Sequence, residues 1–123
     1  MIQAKNLIYN WNESSDNNLK SVKLCDETLR DGLEGGVNRI PSVEEKLDLL
    51  SLANGSGIND AMVGFPGQKM AYKQALTLCK GAQIRGLDIR FGLLGRMVEA
   101  DIHAIESIRQ SSSHPVKIGR AHV

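Results

Sequence analysis

The sequence predicts an α/β protein built on a parallel sheet, and three observations carry that prediction. Apolar residues alternate with period two in short runs and recur with period 3.6 in the longer runs between them. The two patterns follow each other as strand, helix, strand, helix, strand, helix, in units of roughly thirty residues. The first helical run is bounded by a capping box and by glycines. Such alternation calls for right-handed crossovers that lay helices over parallel strands. Two architectures satisfy it. A closed eight-fold barrel takes about 250 residues, whereas an open doubly wound sheet nearly closes within the 123 residues present.

Taken in order, residues 1–21 read as an N-terminal leader. Asn10 to Asn18 is dense in Asn, Ser and acidic residues, which favour turns, and Tyr9 and Trp11 are candidates to pin this arm to the body. The domain itself is expected over 22–117. Ser21-Val22-Lys23-Leu24-Cys25 alternates as a short strand, with Arg30-Asp31-Gly32 just beyond it. Ser42 and Glu45 form the capping box of the first helix, whose stripe is Val43, Leu47, Leu50 and Ala53, with Glu44, Lys46 and Asp48 outside it. Gly55 and Gly57 end it. Ile58 to Phe65 is a second strand, interrupted by Asn59 and Asp60. Met70 to Ile84 is the second helix, with Ala71, Ala75, Leu78 and Ala82 inward. Leu87, Ile89, Phe91 and Leu93 alternate as the third strand, and Val98, Ile102, Ile105 and Ile108 form the stripe of a third helix.

Three such units leave both sheet edges unpaired. Pro115-Val116-Lys117 starts a fourth strand, and residues 118–123 then close the chain as Ile-Gly-Arg-Ala-His-Val. That hexapeptide resembles the translation of a sequencing-library adapter, so the expectation is a non-native tail on a gene product truncated near Lys117. The alternative is a genuine short strand.

Composition narrows the functional class. Hydrophobic residues make up 41% and charged residues 24%, ordinary for a soluble domain. A formal charge of +1 and 4% aromatics argue against nucleic acid or an anionic membrane as partner. No apolar run reaches the length of a membrane span, and the polar start is not a secretory signal. Cys25 and Cys79 stand far apart with no metal-like spacing, and read as reduced, buried thiols of a cytoplasmic protein.

In parallel α/β proteins the functional face lies at the carboxyl ends of the strands. Arg30, Asp31 and Gly32 fall there after the first strand, Gly64-Phe65-Pro66-Gly67 after the second, and Arg96 after the third. A positive rim that carries a carboxylate suits an anionic organic substrate held on a divalent ion. On spacing alone, an adjacent Arg-Asp pair is equally at home as a solvated pair or a helix cap. Gly35-Gly36 lacks the context of a phosphate loop and reads as a plain turn. His103 reads as a helix-surface residue, His114 as a loop residue, and Glu99 and Asp101 as acids favoured at a helix N-terminus.

The segment Asp26-Glu27-Thr28-Leu29-Arg30-Asp31-Gly32 resembles the first-strand signature of the DRE-TIM metallolyases, the superfamily of 2-isopropylmalate synthase, homocitrate synthase, citramalate synthase and 3-hydroxy-3-methylglutaryl-CoA lyase. The resemblance continues through Ser42 to Leu47, Gly64-Phe65-Pro66 and Arg96 to Ile102, and so spans about Lys23 to Lys117. It implies the N-terminal portion, about three βα units, of a TIM (β/α)8 barrel, nearest to the isopropylmalate and homocitrate synthases.

The activity implied is a metal-dependent acyltransfer that condenses acetyl-CoA with a 2-oxo acid, in a full-length homo-oligomer. Asp31 matches the metal-binding aspartate and Arg30 the arginine that stabilises an enolate-like oxygen. The ion, Mg²⁺, Mn²⁺ or Zn²⁺, would be completed by two histidines from a later strand. Arg96 and Glu34 are the expected substrate-binding residues. Two positions depart from the family: Glu34 stands where glutamine is usual, and Met62 where an acid is expected, with Asp60 one step deeper on the same strand face. An aldol-type lyase of the same superfamily and a non-catalytic α/β remnant are the alternatives. The chain alone is expected to be inactive.

Overall fold

The structure is a computed structural model that describes residues 21–120. The leader up to residue 20, with Tyr9 and Trp11, and residues 121–123 with His122 lie outside the described residues. Four parallel strands form one sheet in the order β1-β2-β3-β4: β1 is Cys25–Asp26, β2 Asp60–Gly64, β3 Arg90–Gly95 and β4 Val116–Arg120. Three helices connect them, α1 (Val43–Gly55), α2 (Lys69–Ile84) and α3 (Glu99–Ser111). The α/β class and the parallel sheet are as the alternating periods predict. β4 continues in register with β3 through Ile118, Gly119 and Arg120.

Local chemistry sets the helix ends. Ser42 accepts a hydrogen bond from the Glu45 amide at 3.2 Å and its own amide donates to the Glu45 carboxylate at 2.8 Å, which completes the capping box. Arg39 clamps the same carboxylate at 2.7 and 2.8 Å and holds its pKa down to about 2. At the other end of α1 the amides of Gly57 and Ile58 reach back to the carbonyls of Asn54 and Ala53. This Schellman closure needs the positive φ of 83° that Gly57 supplies.

The core lies between the sheet and all three helices. Ala61 and Val63 of β2 and Phe91 and Leu93 of β3 face Leu47 and Leu50 from α1, Leu78 and Ala82 from α2, and Ile105 and Ile108 from α3. Each large side chain buried in this way contributes about 1.5–3 kcal/mol. Gly81 lets α1 and α2 approach: a Cβ there would fall 2.5 Å from Leu47 Cδ1. The other face of the sheet carries Asp60, Met62, Gly92, Lys117 and Gly119. Met62 lies across the two glycines, and Asp60 is held by Arg90 at 2.7 Å and Lys117 at 3.1 Å.

Four sequence expectations need correction. β1 is two residues long, not five, and Val22 and Leu24 are exposed, because this edge strand pairs with β2 alone. Cys25, on that edge, is exposed; only Cys79 is a buried thiol. The buried row of α3 is Asp101, Ile105 and Ile108, whereas Val98 and Ile102 are 44% and 41% exposed. Ile105 and Ile108 face inward as expected; the bonds of Asp101 described below place it, rather than Val98 or Ile102, at the buried start of the row. Lys46, expected outside the α1 stripe, is buried.

Candidate functional site

The Arg30 segment does lie at the carboxyl end of β1. Asp26 organises it: one carboxylate oxygen accepts from the Thr28 amide at 3.0 Å and the other from the Thr28 hydroxyl at 2.9 Å. The chain then makes a single π-helical turn over Thr28–Gly32, in which the Glu27 carbonyl takes the amides of Arg30, Asp31 and Gly32 at 2.8–3.3 Å. Leu29 anchors the turn in the core. The turn therefore splits its neighbours: Leu29 points in, while Arg30 is 22% and Asp31 70% exposed at the side chain.

Three carboxylates surround the Arg30 guanidinium. Glu27 is closest, at 2.6 Å from Nη2 and 2.8 Å from Nε; Asp31 lies at 3.5 Å and Glu34 at 3.6 Å. The Glu27 hydrogen bond, aided by the other two charges, raises the arginine pKa further above its ordinary value. Glu27 was not among the residues that spacing singled out, although its place three residues before Arg30 in a helical turn is a usable signal.

Arg96 follows β3 and belongs to a second cluster. Its amide, Nε and Nη2 all donate to the Asp101 carboxylate, at 3.0, 2.9 and 3.0 Å, and its guanidinium carbon lies 5.6 Å from the centre of the Phe65 ring. Asp101 is fully buried, and the Arg96 bonds hold its pKa below the usual aspartate value. Its function is thus to fix the loop after β3, beyond the helix-dipole role that its position suggests. Gly67 completes the cluster. A Cβ there would fall 2.8 Å from Asp101 Oδ1 and 3.2 Å from Phe65, so the Gly64-Phe65-Pro66-Gly67 turn needs its glycine for close approach.

Asp60 sits at the amino end of β2, engaged by Arg90 and Lys117. His103 is a surface residue 3.2 Å from Glu99. His114 is buried, not a free loop residue: its Nε2 is 2.7 Å from the Ile89 carbonyl and its ring 4.3 Å from that of Phe91. Gly36 has a positive φ of 88° in an open turn.

A cleft of about 210 Å³ opens beside the Arg30 turn, between α1 and α2. Arg30 and Glu34 line it, together with Lys46 and Gln74, against an otherwise apolar wall. Asp31 does not.

A divalent ion fits this arrangement only in part. Asp31 offers one exposed hard oxygen, but its nearest charged neighbour is the Arg30 cation. Among the described residues no three His, Cys, Asp or Glu side chains converge on a point where an ion could sit. The described residues by themselves do not furnish a metal shell. Among the described residues, too, no helix is long and apolar enough to cross a membrane. No family model matches the chain, and no curated protein matches it.

Proposed function

We propose that the chain is the N-terminal portion of a TIM-barrel acyltransferase that condenses acetyl-CoA with a 2-oxo acid, similar to 2-isopropylmalate synthase. The observation that carries this reading is the position of the Asp26-to-Gly32 signature: Arg30 and Asp31 stand in the turn at the carboxyl end of β1. Strand order supports it. A doubly wound sheet reverses its order so that helices cover both faces, whereas here β1-β2-β3-β4 run in sequence with the helices on one side, as in a barrel wall.

In this reading Arg30 is the group opposite the oxyanion. As a permanent cation it offsets the developing charge without needing to transfer a proton, and Glu27 fixes its fork. Asp31, 70% exposed beside Arg30, would serve one ligand position of an ion whose other ligands the rest of the barrel would supply. A bound divalent ion would polarise the ketone. Arg96, half-exposed beyond β3, and Glu34 would meet the substrate's polar groups.

The test is release of free CoA from acetyl-CoA in the presence of 2-oxoisovalerate and related 2-oxo acids, with Mg²⁺, Mn²⁺ or Zn²⁺. It is run on the 123-residue chain and on the longest in-frame product of its gene. The longer product is expected to turn over and the chain alone is not. Arg30→Gln in the longer product is expected to lower kcat by roughly 10²–10³-fold. Cleavage of a 3-hydroxyacyl-CoA without any condensation would assign the lyase activity instead. No reaction of either kind would end the reading.

A further inference from the structure

Lys46 has no part in the proposed acyl transfer, yet three costs converge on it. It is 7% exposed, and burial pulls its pKa below the ordinary lysine value. It lies in the first turn of α1, the positive end of the helix dipole, where a cation is unfavourable. It also takes part in none of the ion pairs among the described residues. Glu34, the acid that lines the same cleft, is paired with Arg30 instead. Its aliphatic stem is buried while its ammonium faces an open cleft.

The cleft defines what the missing partner would be. Its wall is aliphatic, formed by Leu29, Leu33, Ile40, Val63, Ala71 and Ala75. Its volume of about 210 Å³ is below the ~300 Å³ at which drug-sized pockets begin. Glu27 holds the Arg30 guanidinium, and Lys46 is the other cation in the lining, with no ion pair among the described residues. A single positive charge against a small aliphatic surface selects one negative charge on a short hydrocarbon body. Phosphate and sulfate carry no apolar part to cover that surface.

We propose that this cleft is a binding site for a short-chain aliphatic monocarboxylate, its carboxylate on Lys46 and its hydrocarbon body against Leu29, Val63 and Ala75. The site lies behind the Arg30 turn on the helix-covered side of the sheet, and its existence does not depend on acyl-transfer activity. Because Leu29 and Arg30 belong to one π-helical turn, an occupant here braces the turn that presents Arg30.

The test uses the complete 123-residue chain with isovalerate as probe, and with isovaleramide and inorganic phosphate as its neutral and hydrophilic counterparts. Thermal melting and amide NMR shifts of Leu29, Val63 and Ala75 are read. Isovalerate is expected to raise Tm and move those amides; the other two are not. Lys46→Met keeps the aliphatic stem without the charge. It is expected to weaken isovalerate binding by about tenfold or more, and without ligand to melt at or above the wild-type temperature. Ala71→Leu leaves Lys46 in place but fills the cleft, and is expected to abolish binding. The proposal is overturned by no isovalerate response up to about 50 mM, by equal binding of the amide or of phosphate, or by undiminished binding in either variant.

Discussion

Asp101, in the first turn of α3, accepts three hydrogen bonds from Arg96, one from its backbone amide and two from its guanidinium, and is itself fully buried. One carboxylate thereby ties the loop after β3 to the helix that follows and turns Ile105 and Ile108 toward the sheet.

Replacing that carboxylate tests the tie. Asp101→Asn keeps the shape but removes the charge that faces Arg96. It is expected to lower Tm by about 5–10 °C and to free the Arg96 side chain. The folded-state pKa of Asp101 lies below its reference of 3.8. Its contribution is therefore complete above that value and lost as pH falls through the folded pKa. Melting curves from neutral to acid pH should show a shallower acid limb in the variant; an unchanged Tm at neutral pH would count against the tie.

Gly67→Ala places a methyl group 2.8 Å from Asp101 Oδ1, which Arg96 holds in place, and 3.2 Å from Phe65. Overpacking of this kind is expected to cost about 1–3 kcal/mol, measured by urea denaturation. Gly55→Ala, where nothing lies within 4 Å, is the control and should not destabilise.

His114 predicts a separate pH response. Its Nε2 lies 2.7 Å from the Ile89 carbonyl and so carries the proton of the neutral ring. Burial disfavours a second proton and lowers the pKa from 6.5. The unfolded chain takes up that proton more readily, so stability is complete above 6.5 and declines as pH falls below it. Urea midpoints should drop between about pH 7.5 and 5.5, and this drop should be absent in His114→Phe. A flat profile for the wild type would refute the assignment.

The two thiols should differ sharply in reactivity. Cys79 is buried and desolvation pushes its pKa up to about 11, whereas Cys25 is exposed on the edge strand. Under native conditions iodoacetamide should label Cys25 well ahead of Cys79, and mass spectrometry of tryptic peptides reads the ratio. Equal labelling would mean that the α2 face opens readily.

Element order is legible in the sequence because its signals are local. The Ser42–Glu45 box and Gly57 act within a few residues, and the structure uses both of them. The face of α3 is legible only in its second half. Ile105 and Ile108 of the expected stripe 98-102-105-108 are buried, whereas Asp101 takes the inward place in the first turn through a bond to Arg96 that no periodicity encodes. Lys46 escapes for a related reason: its burial is decided by where the Arg30 turn lies, not by its own neighbours in sequence. At the candidate site the motif locates Arg30 and Asp31, but the engagement of Arg30 by Glu27 emerges only when Asp26 fixes the turn.

The strand order has a consequence for how the protein is made. Each strand pairs with the one before it, and paired positions are separated by 35 residues from Cys25 to Asp60, 30 from Asp60 to Arg90 and 25 from Phe91 to Val116. No strand must wait for a later one to complete its inner neighbour. During synthesis each strand-and-helix unit can dock onto a finished edge as it emerges, with loop closures that stay short as the sheet widens.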